Sequence, residues 1–168
     1  MKATKTIGIL SIIAGIIMIV AGAITYGTVA SQLKAENITV PGDSEFMGGA
    51  FAGKPVTGPL SAYAQADIIN HHAMAASEGK TYSELGALAT AAKEAGDTEL
   101  ADQYTATRTT VMNASFLRAS LFTSVVAFGV AALVMGLGIL FGLIGWALTR
   151  VGAPVAAVVE RDMDVDRS

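Results

Sequence analysis

The densest gathering of metal-capable side chains in this 168-residue chain is the run Asp67-Ile-Ile-Asn70-His71-His72-Ala-Met74. Carboxylate, imidazole and thioether together form a ligand set for zinc or copper. On a helix, Asp67 and His71 are four positions apart and share a face. His72 points about 100° away from His71. A closed site needs three or four converging ligands, and one helix face supplies two here. With two histidines in the whole chain, a three-histidine site within one copy is excluded. The simpler reading is a helix face packed against a neighbouring element, with Asp67 as a hydrogen-bond partner. On that reading no metal and no cofactor is expected. A metal- or haem-handling module using Asp67, His71, His72 and Met74 is the alternative.

The run Gly48-Gly-Ala-Phe-Ala-Gly53-Lys54 has the spacing of a phosphate-binding loop, in which backbone N–H groups cradle phosphates and a following Ser or Thr hydroxyl holds Mg²⁺. Here Pro55 follows. It offers neither hydroxyl nor N–H, and it disfavours helical geometry at Lys54. No strand precedes the run, so no nucleotide partner is expected. Acids cluster at Glu94, Asp97, Glu99 and Asp102, where they suit a helix start. There is no cysteine and no serine or threonine in a nucleophile elbow. A non-enzymatic protein is expected. Eleven Lys and Arg against fourteen Asp and Glu give a net charge of −3, so no basic footprint points to nucleic acid.

The elements that must position these residues follow from how charge is distributed. Charged residues are 15% of the chain and the mean hydropathy is +0.54, against roughly 25% charge in a soluble domain. Residues 6–33 carry no charge for 28 positions, and residues 119–149 none for 31. Crossing about 30 Å of hydrocarbon takes roughly 20 apolar residues, and backbone groups in lipid must be satisfied within a helix. Transmembrane helices are therefore expected at residues 7–29 and 119–149. A cleaved signal peptide is the rival for the first, with Lys2 and Lys5 as basic region and Thr28-Val29-Ala30 as cleavage site. Signal cores run about 7–15 residues; this one is longer, so an uncleaved anchor is expected. Neither span holds an ionisable residue, which pumps and proton relays require.

Lys2 and Lys5 precede the first span and Arg150 follows the second, which places both termini inside by the positive-inside rule. The intervening 34–118 carries six basic and ten acidic residues, and at 85 residues it is long enough to cross largely regardless of charge. The expected order is a cytoplasmic N-terminus (1–6), a span (7–29), an extracytoplasmic region (30–118), a span (119–149) and a cytoplasmic tail (150–168). Tyr26 and Trp146 fit the two interfaces. Within the outer region, Pro41, Pro55 and Pro59 with five glycines forbid a regular helix across 38–60. Residues 61–77 read as an Ala-rich helix. Thr81-Tyr-Ser-Glu84 has capping-box spacing and opens a second helix that stops at Gly96. From Asp97 no Gly or Pro intervenes before Gly129, so one helix is expected to begin outside and continue into the second span. Leu100, Tyr104, Val111 and Leu117 mark its expected buried stripe. The fold class is an all-α membrane protein with a small helical extracytoplasmic domain, its core thin because alanine dominates it.

Small residues are spaced for helix packing, which supplies much of the association energy in lipid. Gly8, Ser11, Gly15, Gly22 and Thr25 follow a seven-residue pattern in the first span. Gly129, Ala132, Gly136, Gly138, Gly142 and Gly145 are available in the second. One face can hold a hairpin while another meets a second chain, and Gly15, Gly22, Gly138 and Gly142 are the chief candidates for contacts. Phe51, His71 and His72 are the candidates for outer-domain contacts, with Phe46 and Met47 nearby in the loop.

Three stretches carry a resemblance: MKATKTIGILSIIAGIIMIVAGAITYG, ITVPGDSEFMGGAFAGKPVTGPLSAYAQADIINHHAMAASEGKTY and TTVMNASFLRASLFTSVVAFGVAALVMGLG. Across them the chain resembles an actinobacterial family of small two-pass membrane proteins without an assigned activity. Some members of that family are labelled aromatic ring-opening dioxygenases. That chemistry needs iron held by two histidines and a carboxylate, and the adjacent His71 and His72 cannot both face one ion on a regular helix. The expected function is self-assembly in the bilayer, or service as an accessory or scaffold subunit of a larger membrane complex.

Overall fold

The computed structural model describes residues 2–151. Four helices make up the architecture: α1 (Lys2–Ala35), α2 (Pro59–Ala76), α3 (Tyr82–Glu94) and α4 (Thr98–Arg150). The described residues hold no strand, only one isolated antiparallel bridge between Thr39 and Pro55. Both α1 and α4 are long and apolar enough to cross a bilayer. In each, only 17% of the most apolar window is buried. The core helix of a soluble protein would be mostly covered, so these helices are compatible with lipid as their solvent. Several hydroxyls inside them are satisfied one turn back. Thr25 donates to the Ala21 carbonyl, Thr123 to Ala119 and Ser124 to Ser120.

Each boundary has a local cause. At its C-terminal end α1 leads into Asn37, which takes a left-handed φ of 52°, a conformation asparagine tolerates. Gly58 is extended before α2, Pro59 occupies the first helical position, and the Ser61 hydroxyl accepts the Thr57 and Gly58 N–H groups. Past Ser77, the Gly79 N–H returns to the Met74 carbonyl and the Glu78 N–H to Ala75, the paired bonds of a Schellman stop. The capping box of α3 is complete: Thr81 N–H donates to the Glu84 carboxylate, and the Glu84 N–H donates to Thr81 Oγ1. Gly96, at φ 79°, ends α3 by a second Schellman stop, in which the Asp97 N–H bonds to the Ala92 carbonyl. The Asp97 carboxylate then accepts the Leu100 N–H and starts α4.

The chain divides into two compact units, one formed by the N-terminal part of α1 with the C-terminal part of α4, the other spanning Thr28–Phe128. The core of the second unit includes Ala62, Ala64, Ala66, Ala73, Ala92 and Ala101 around Val40, Val56, Leu85 and Leu121. Leu100 and Leu117 do not belong to it, being 37% and 58% exposed. The line of α4 that meets the other helices runs through Ala101, Val111 and Leu121 instead. Ala101 is buried there although it is small, so bulk alone does not mark the buried line of α4.

Candidate functional site

In the first unit, α1 and α4 meet along an antiparallel seam of small residues. A Cβ added at Gly8 would stand 2.7 Å from the Gly145 carbonyl oxygen, and one at Gly15 2.5 Å from that of Gly138. At Gly22 it would stand 2.8 Å from the Ala131 carbonyl oxygen and 2.6 Å from the Met135 side chain. The reciprocal additions at Gly138 and Gly145 would meet the Gly15 and Gly8 carbonyl oxygens at 2.6 and 2.5 Å. Both rows repeat every seven residues, as a pair of supercoiling helices requires. The Ser11 hydroxyl bonds across the seam to the Phe141 carbonyl at 2.8 Å. The other glycines of the second span are placed differently. Positions 129, 136 and 142 have nothing within 4 Å of an added Cβ, and Ala132 is exposed. Gly142 contributes only its backbone, whose nitrogen would lie 2.9 Å from a Cβ at Gly15.

In the second unit the histidine run is dispersed. His72 Nε2 lies 2.7 Å from Asp43 Oδ2 in the loop before α2. That hydrogen bond, the largest influence on it, holds the Asp43 carboxyl below its ordinary value. His71 is exposed, its ring 6.2 Å from that of His72. Asp67 is exposed as well, and no hydrogen bond joins it to His71 among the described residues. Met74 lines a small recess with Tyr82, Val111 and Arg118. Among the described residues, no three His, Cys, Asp or Glu side chains are gathered as a metal site would need.

The loop at 38–56 closes on itself. Val40 N–H bonds to the Lys54 carbonyl, Gly53 N–H to Val40, and Val56 N–H to Ile38. Within it the N–H groups of Gly48, Gly49, Ala52 and Lys54 donate to Glu45, Phe46, Gly49 and Phe51 carbonyls. A phosphate cradle needs those N–H groups free and convergent; here they hold the loop's own turns. Phe51 stacks on Phe46 at 5.9 Å between centroids, Phe46 on Tyr63 at 5.0 Å, and Tyr63 meets Phe122 edge-on at 5.8 Å. This aromatic chain pins the loop to α2 and α4. Met47 remains outside it and exposed.

Sequence reasoning passed over three features. The Arg108 guanidinium lies 4.0 Å from the Tyr82 ring centroid, a cation–π contact. It fits because residue 86 is glycine, where a Cβ would press on Arg108 Nε at 3.1 Å. A lone glycine inside the α3 pattern, costly there by about 1 kcal/mol, was the available signal. The second feature is Asp43, whose pairing with His72 spans 29 positions and leaves no local trace. The third is a cavity of about 620 Å³ walled by α1, α2 and α4.

These features define an all-helical chain with two apolar helices long enough to span a membrane, joined by a glycine seam. No family model, curated protein or solved structure matches it.

Proposed function

We propose that this chain is a non-enzymatic two-span membrane protein that assembles with copies of itself, or with a larger membrane complex as an accessory subunit. One observation carries the reading. The intrachain seam uses Gly8, Gly15 and Gly22 against Ala131, Gly138 and Gly145, yet α4 keeps a second small-residue row at Gly129, Ala132 and Gly136 with open space around it. Glycine in a helix interior costs about 1 kcal/mol relative to alanine, and small-residue rows let another backbone come close in lipid. The proposed orientation keeps residues 1–6 and 150–168 in the cytoplasm and 30–118 outside, supported by Lys2, Lys5 and Arg150 beside the spans.

Gly129→Leu with Gly136→Leu tests the contact without touching the hairpin. The expected result is a fall in native mass to a single chain in mild detergent, with unchanged thermal stability. An unchanged mass, whether of a self-assembly or of a mixed complex, would sink the assembly reading. The alternative metal- or haem-handling role draws no support from the dispersal of Asp67, His71, His72 and Met74.

A further inference from the structure

Contacts within the second unit fix how α2 lies against α4. Near the C-terminal end of α2, Met74 lines a recess with Val111 and Arg118. Further back, Gln65 and Ile69 line the groove of about 620 Å³ with Leu121 and Ser124. Earlier still, Tyr63 meets Phe122 edge-on. The two helices are therefore antiparallel, and Leu60, in the first turn of α2, stands further along α4 than Tyr63 does. Arg118 is the last charge before the uncharged run 119–149. At 1.5 Å per residue, Phe122 lies about 6 Å past it.

The loop before α2 descends in the same direction. Asp43 is paired with His72, towards the far end of α2, whereas Phe46, three residues on, stacks on Tyr63. Met47 comes next, 62% exposed and held in a left-handed conformation at φ 51°. Leu60 and Tyr63 are also exposed, at 51% and 40%. Residues 46–53 and 55–66 carry no charge, and the titratable side chains Asp67, His71 and His72 all come later in α2. Two cations rim this end. Lys54 Nζ lies 5.9 Å from the Phe51 ring centroid, and the Arg118 guanidinium 5.8 Å from that of Phe122. Neither forms an ion pair among the described residues.

We infer that the Met47 loop tip and the first turn of α2 dip into the bilayer surface beside α4, with phospholipid as their partner. Position decides the occupant, because at the level of Phe122 the medium around a spanning helix is lipid. An interfacial segment buries its apolar side about 5–10 Å into the boundary between headgroups and acyl chains, and Lys and Arg keep their charged ends in the polar layer. Met47, Leu60 and Tyr63 supply the apolar side here; Lys54 and Arg118 face the phosphates. The inference rests on α1 and α4 crossing a membrane and is independent of self-assembly.

The chain has no cysteine, so a fluorophore can be placed on single-cysteine variants of the full-length protein. Met47→Cys, Leu60→Cys, Lys93→Cys on exposed α3 and Ile17→Cys in the first apolar run are reconstituted in phospholipid nanodiscs. Phosphatidylcholine spin-labelled on its acyl chain quenches from the lipid side, and iodide quenches from water. Labels at Met47→Cys and Leu60→Cys are expected to lose most of their fluorescence to the spin-labelled lipid and little to iodide. Lys93→Cys is expected to show the reverse. Iodide quenching at Met47→Cys or Leu60→Cys overturns the proposal, since the patch would then face water. Shielding of either from both quenchers overturns it as well, since a neighbouring protein chain would then cover the patch. Iodide access at Ile17→Cys would instead remove the two-span reading, and this inference with it.

Discussion

At the scale of single residues, the glycines divide by what a side chain would strike. Gly15 and Gly27 lie on the same apolar helix, yet an added Cβ would collide with the Gly138 carbonyl at the first and meet nothing within 4 Å at the second. Overpacking of a well-filled contact costs about 1–3 kcal/mol. Gly15→Leu is therefore expected to destabilise the hairpin by about 2 kcal/mol or more, and Gly27→Leu to leave it unchanged, as measured by thermal unfolding in detergent. Equal effects of the two would refute the seam. The seven-residue spacing of Gly8, Gly15 and Gly22 was legible because a repeat is a property of sequence. Which glycines of α4 answer them was not. Gly138 and Gly142 look alike as letters, and only the direction of each Cα–Cβ vector separates them.

At the scale of elements, helix ends were the most readable part. Thr81 and Glu84 announce α3, and Gly96 and Asp97 mark its end and the start of α4, because capping is a short-range exchange of hydrogen bonds. The loop before α2 was legible only as an absence of helix. Its closure depends on Val40 finding Lys54 and Asp43 finding His72, pairings set by tertiary position. The carboxyls here give a pH dependence with a definite sign. Asp43 is lowered by His72, Glu84 by the Thr81 N–H and hydroxyl, and Glu78 by Lys80. A carboxyl whose folded value is depressed contributes stability above its unfolded value and loses it as pH falls through the folded one. The loop and the α3 start are thus expected to loosen on the acid side of the ordinary carboxylate range. Amide hydrogen exchange across 38–56 and 81–85 reads this directly. Asp43→Asn should remove the acid response of the loop and leave that of α3; a loop response that persists would detach it from the His72 contact.

At the scale of the whole molecule, charge and hydropathy divide the sequence into regions before any contact is known. The proposed orientation is open to a direct check, because Lys93 is exposed on α3 and Lys5 precedes the first apolar run. An amine reagent that cannot cross membranes is expected to modify Lys93 in intact cells and to reach Lys5 only after lysis. The opposite pattern would invert the topology. The two long apolar helices were visible from two uncharged runs, because a bilayer would impose that length and polarity on any helix that crosses it. The groove with Gln65 was invisible, since it is assembled from three helices distant in sequence. The glycine seam, finally, bears on how the hairpin forms. Where backbone meets backbone there are few rotamers to freeze, and glycine loses no side-chain entropy on packing. Zipping α1 to α4 is therefore set chiefly by peptide geometry, and on the proposed two-span reading its closeness should vary little with the thickness or fluidity of the bilayer.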